Sequence, residues 1–167
     1  WNAKPEAAPA PANASADVVV VGGGGAGLAA AIAAGQQNKS VIIVEKNGEV
    51  GGDTLVCGAI YNTPDEALQK KVTMGDAVKR TIEAALAEAP KSGEHAALQA
   101  QVRSQWNAYK ASGRTDLFDS KEWYALQTWN GGDKVANLNL VKKMCYNAYD
   151  GLNWIDDLGM SFSDVIS

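Results

Sequence analysis

Histidine is nearly absent from this chain of 167 residues, which holds only His95, and cysteine is scarce, with Cys57 and Cys145 far apart. Neither C-x-x-C nor C-x-x-C-H occurs, so the sequence offers no zinc site and no c-type haem attachment. The two thiols are expected unpaired in packed positions, where cysteine behaves as a small hydrophobe. His95, between Glu94 and Ala96, reads as an exposed residue at a helix start. Long apolar runs are missing too. The longest, Ala26 to Ala34, is nine residues, against the roughly 20 of a spanning helix, so no membrane span is expected. Basic runs are also lacking: no five Lys or Arg follow one another, and the net charge is −4. That pattern leaves no electrostatic footprint for nucleic acid.

What is present describes a globular chain, with 46% hydrophobic and 20% charged residues. The length favours a single domain. Residues 1–16 are rich in Ala and Pro without apolar period and read as an extended tether. Such tethers commonly follow a removed export signal or another domain, which favours a periplasmic or other extracytoplasmic location over the cytoplasm. The first residue is Trp rather than Met, as expected of a processed or trimmed fragment.

Asp17-Val-Val-Val-Val-Gly22 is a β-branched run closed by glycine, the pattern of a strand buried on both faces of a parallel sheet. Ala26 to Gly35 reads as a helix, with Gly35 to Lys39 as its exit turn, and Val41-Ile-Ile-Val-Glu45 as a second strand. Residues 17–63 are therefore predicted to form a βαβ unit. Residues 64–167 are predicted to be mainly helical. Met74, Val78, Ile82 and Leu86 recur at helical spacing, as do Leu98, Val102, Trp106 and Tyr109. Asp119-x-x-Glu122 has the form of a capping box opening a helix through Trp123, Leu126 and Trp129. Val141, Met144, Cys145, Ala148, Leu152, Ile155 and Leu158 form the strongest stripe, stopped by Gly159. Each stripe is expected to be core.

Two strands, with a third candidate over Ser161 to Ile166, fall short of the five or six usual in such sheets. The sheet is expected to be incomplete and to need the remainder of the same polypeptide, or a second chain, to cover it.

Gly22-Gly23-Gly24-Gly25-Ala26-Gly27 fits G-x-G-x-x-G in the required place, after a strand and opening a helix. In a Rossmann-like unit Gly22 permits the tight turn, Gly24 admits a pyrophosphate to the backbone, and Gly27 allows close helix–strand packing. The N–H groups of Gly25 and Ala26, at the positive end of the helix dipole, would face the phosphates. Glu45 ends the second strand, eighteen residues after Gly27, where a carboxylate accepts from the adenosine ribose hydroxyls and repels a 2′-phosphate. Glu45-Lys46, followed by the pair Gly51-Gly52, resembles the extended E-K/R-x-x-x-x-G-G motif of flavoproteins. FAD rather than NAD is therefore the expected cofactor.

Gly51-Gly52-Asp53-Thr54, then Gly58-Ala59-Ile60 and Asn62, resembles the fumarate reductase and succinate dehydrogenase flavoprotein family, and within it the soluble flavocytochrome-type fumarate reductases. There the segment reads G-G-N-T, four residues, G-G, one residue, N. The resemblance implies that Asp53 and Thr54 contact the diphosphate and ribityl region, while Gly58, Ala59 and Ile60 lie near the isoalloxazine. Asn139-Leu140-Val141 through Gly151-Leu-Asn-Trp-Ile-Asp-Asp-Leu-Gly-Met-Ser-Phe162 resembles the helix that precedes the family's substrate-capping domain, with 64–118 as a poorly matching helical insertion. Two departures stand out: Asp53 for the usual Asn, and Ala59-Ile60 where the family keeps Gly-Gly. The absence of histidine between Gly51 and Thr63 implies non-covalent FAD.

The resemblance implies an oxidoreductase that passes a hydride from FAD to an activated C=C bond, as in an unsaturated carboxylate. Its small-molecule substrate residues would lie beyond Ser167, and its electron donor is left open. A ketosteroid-dehydrogenase-like desaturase is the second enzyme reading. A non-catalytic nucleotide-binding or interaction module is the third.

Overall fold

The computed structural model describes residues 13–58 and 60–163, which fall into two compact units with the break between Ile60 and Tyr61. Most of the predicted tether, Ala59 and residues 164–167 lie outside the described residues.

The first unit is a βαβ arrangement. Strand β1 (Val18–Val21) pairs in parallel with β2 (Val41–Val44), Val18 opposite Val41 and Val21 opposite Val44. Helix α1 (Gly25–Gln36) connects them. Asp17 and Ser40 lock the entry to the sheet: Ser40 donates to Asp17 Oδ2 through its N–H (2.9 Å) and hydroxyl (2.7 Å), and its Oγ accepts from Asp17 N–H (3.0 Å).

Because side chains alternate along a strand, Val18 and Val20 share one face with Val41 and Ile43. Helix α1 lies on that face, since a Cβ added to Gly27 would meet Val20 Cγ1 at 3.3 Å. On the other face Val19, Val21 and Val44 are exposed, Val21 by 84%. The expectation of strands buried on both faces is therefore not met: the described residues place one helix on two strands, which leaves the face under α1 half-buried and the other largely exposed. Residues 161–163 are not strand, and the rest of the predicted third strand lies outside the described residues.

The second unit is helical: α2 (Glu66–Gln69), α3 (Asp76–Ala87), α4 (Gly93–Ala111), α5 (Lys121–Gly131), α6 (Leu138–Tyr146) and α7 (Ala148–Asp157). The α3, α4 and α5 stripes form its core as predicted, from Ile82 and Leu86 through Leu98, Val102 and Trp106 to Trp123, Leu126 and Trp129. Trp106 stacks on Tyr109, with ring centroids 5.1 Å apart, and Phe118 meets both rings edge-on. Gln99 Nε2 donates to the carbonyls of Ala85 (2.9 Å) and Glu88 (3.1 Å), satisfying acceptors that the end of α3 leaves over.

Four readings of the sequence are corrected, three of them in this half. The cap of α5 is Ser120, whose Oγ accepts from Trp123 N–H at 3.0 Å. Asp119 instead accepts from Ser120 N–H, and Glu122 accepts from Gln105 Nε2. The Val141–Leu158 stripe is two helices, broken at Asn147, whose Nδ2 turns back onto Lys143 O (2.6 Å). In that stripe only Cys145 and Ala148 are fully buried, while Met144 and Leu158 are exposed. Of the two thiols expected in packed positions, Cys145 is buried and Cys57 is exposed.

The fourth correction is His95, which is fully buried rather than exposed. Ser92 caps α4 by accepting from His95 N–H (3.1 Å), and this first turn points the imidazole inward onto Trp129, with centroids 4.7 Å apart. Its Nδ1 accepts from Lys91 N–H (3.1 Å), which requires the neutral ring protonated at Nε2. Burial, and then the Lys134 ammonium, hold its pKa below the usual histidine range. The unfolded chain therefore takes up this proton first, and His95 lowers stability as pH falls from about 6.5. Asp119 has the opposite sign. Burial pushes its pKa up to about 6, so it raises stability as pH falls from there toward about 4. We expect His95→Gln to flatten the loss of Tm between pH 7 and pH 5 in the full-length protein. An unchanged slope would show that His95 is not the group responsible.

A candidate dinucleotide-binding site

The glycine run sits where β1 ends and α1 begins. Gly22 continues the sheet by donating to Val44 O (2.8 Å), then turns at φ +98°. Gly24 is the N-cap of α1, and as a glycine it has no side chain to cap the first turn. A Cβ added to Gly24 would meet nothing within 4 Å, whereas one on Gly27 would lie 1.9 Å from Gly22 O. The two glycines therefore answer different demands. Gly27 makes room for the fold, and Gly24 keeps open space above the backbone beside the positive end of α1.

The second glycine pair folds back onto the first. Gly51 N–H donates to Gly23 O (2.7 Å), Gly51 bridges Gly24 in parallel, and a Cβ on Gly52 would lie 3.3 Å from Gly24 Cα. Gly51 at φ +120° and Gly52 at φ +53° hold conformations that glycine adopts readily. The chain then enters a 3₁₀ turn, Gly52–Val56, which puts Thr54 Oγ1 2.6 Å from where a Cβ on Gly25 would be.

Glu45 ties the loops together. Its Oε2 accepts from Gly23 N–H (2.7 Å) and its Oε1 from Asn47 N–H (2.8 Å). These two bonds, Asn47 foremost, hold its pKa below the usual carboxylate range. A carboxylate has about four acceptor positions, so each oxygen can still take a hydroxyl.

The structure thus brings together Gly22, Gly24, Gly25, Ala26, Gly27, Glu45, Gly51, Gly52 and Thr54. Lys46, Asp53, Gly58 and Ile60 are exposed, and Ala59 lies outside the described residues. Sequence reasoning missed Gly23, Asn47 and Val50. Gly23 gives its N–H to Glu45 and its carbonyl to Gly51, and a Cβ there would meet Val50 Cγ1 at 2.7 Å. Its signal was available: the glycine at an x position, between two that the motif fixes.

The FAD binding domain family matches residues 17–111, more than half of the chain. This chain belongs to that family, the one that holds the fumarate reductase and succinate dehydrogenase flavoproteins. FAD is accordingly the cofactor of this FAD-binding chain. The match takes in most of 64–118, the segment expected to match poorly. The NADH:acrylate oxidoreductase of Vibrio harveyi is 30% identical over 144 residues. The alignment covers 78% of the FAD-binding chain but only 14% of that protein. No solved structure gives a significant match. No helix among the described residues is long and apolar enough to cross a membrane.

Proposed function

We propose that Gly22–Gly27, Glu45 and the Gly51–Thr54 loop hold the ADP half of FAD in a Rossmann-like manner, in a flavoprotein oxidoreductase that reduces an activated C=C bond. The observation that carries this reading is the clasp of the two glycine loops under Glu45. It leaves three features facing outward that suit a dinucleotide: open space over Gly24, the N-terminal N–H groups of α1, and unused acceptor positions on Glu45. The diphosphate would lie over Gly24 against Gly25 and Ala26, with Thr54 and Asp53 on its ribityl side. The ribose hydroxyls would donate to Glu45, with Lys46 beside it. Gly58, Ala59 and Ile60 would lie toward the isoalloxazine.

When bound, FAD supplies the hydride chemistry. These residues bind and orient it, and no described residue is assigned the proton transfer. Acrylate, in the name of the Vibrio harveyi relative, is an unsaturated carboxylate, and this favours that substrate class. The uncovered Val19, Val21 and Val44 face favours a further segment, from the same polypeptide or a second chain, completing the sheet. An extracytoplasmic location fits the composition of residues 1–16.

The absence of histidine between Gly51 and Thr63 supports a non-covalent cofactor. Acid precipitation of the full-length protein should release the flavin into a yellow supernatant. Flavin that stays with the pellet would contradict non-covalent binding, and a colourless protein would contradict FAD use.

A further inference from the structure

Between the start of α3 and the end of α4 lies a hollow of about 370 Å³, a volume in the range of small-molecule sites. Its floor is Met74 with the buried Trp106–Tyr109 stack. Around it stand Lys79, Lys110 and Arg114, with Glu83, Thr73 and Thr115 also in its lining.

Each cationic head is restrained separately. Lys110 Nζ lies 5.5 Å above the Trp106 ring. Arg114 lies over Tyr109 and gives Nε (2.9 Å) and Nη2 (2.6 Å) to Asp116, which leaves Nη1 for another acceptor. Lys79 gives one of its three protons to Asp76 at 3.0 Å. Asp76 and Asp116 offset part of the positive charge, but the Lys79–Asp76 pair is exposed on both sides, and a pair so placed is weak enough to be shared with a ligand.

We propose that this hollow binds a phosphorylated small molecule, a phosphate monoester whose organic part carries a hydroxyl. A phosphate group brings nearly two negative charges and three acceptor oxygens, which matches three cationic side chains better than a single carboxylate does. Glu83 accepts hydrogen bonds only. It suits the ligand's hydroxyl and repels a second anionic group, which disfavours dicarboxylates. Every residue that lines the hollow belongs to the second unit, and the glycine loops and Glu45 belong to the first.

The test is calorimetric titration of the FAD-loaded full-length protein, whose dinucleotide site is then filled. Glycerol 3-phosphate should bind saturably, with inorganic phosphate weaker and glycerol giving no saturable heat. Lys79→Ala and Lys110→Ala should each weaken glycerol 3-phosphate by about tenfold, as expected for loss of a charge-assisted hydrogen bond. No saturable heat with the ester would overturn the proposal. So would equal binding of inorganic phosphate, or an affinity that neither lysine variant changes.

Discussion

Gly27→Ala should cost the first unit about 3 kcal/mol or more, at the upper end of what overpacking does. A methyl group there would sit 1.9 Å from the carbonyl oxygen of Gly22 and 3.0 Å from its carbon. Both are backbone atoms at the turn that joins β1 to α1, so no rotamer change can relieve the contact. Helix α1 would have to lift from the sheet and open the Gly22 hydrogen bond to Val44 O. Urea unfolding of the full-length protein, followed by a probe in the first unit, should show a lowered midpoint, with FAD lost as a consequence. An unchanged midpoint would mean that α1 does not approach β1 this closely.

Gly24→Val should do the reverse: leave the fold and remove the cofactor. The position has φ −73°, which any residue adopts, and a Cβ there meets no protein atom within 4 Å. Stability of the cofactor-free protein should stay within about 0.5 kcal/mol of the parent, as for substitutions that touch nothing. Affinity for FAD should fall by about a hundredfold or more, equivalent to about 2.7 kcal/mol, because the isopropyl group would occupy the space proposed for the diphosphate. A variant that unfolds, or one that keeps its flavin, would each contradict this division of labour between Gly24 and Gly27.

Much of the first unit was legible because its signals are local. A valine run, a fixed glycine spacing and an acid at the end of the second strand are read without knowing what lies across the fold. The clasp was not legible in the same way. That Gly51 N–H reaches Gly23 O, and that Glu45 holds Gly23 and Asn47, depends on a loop returning over the first turn, and no spacing rule encodes that return. In the helical unit, periodicity found the buried faces of α3, α4 and α5 but could not see ends. The cap of α5 is Ser120, one residue after Asp119, and its hydroxyl also donates to Gln105 Oε1 (2.7 Å), a contact across the fold that spacing does not encode. Asn147 interrupted an apolar stripe that kept its period across the break. His95 was misplaced because a polar residue near a helix start is usually solvated, whereas here Trp129 and the Lys91 N–H provide it with a buried seat.

The most direct measurement of the dinucleotide site compares FAD with FMN as ligands for the full-length cofactor-free protein. The two share the isoalloxazine, the ribityl chain and one phosphate; only FAD carries the AMP half proposed to meet the α1 N-terminus and Glu45. Equilibrium titration by flavin fluorescence should find FMN weaker than FAD by about a thousandfold or more, equivalent to about 4 kcal/mol, with ADP competing against FAD. Equal affinity for FMN and FAD, with no competition by ADP, would show that Gly22–Gly27 and Glu45 do not hold the nucleotide.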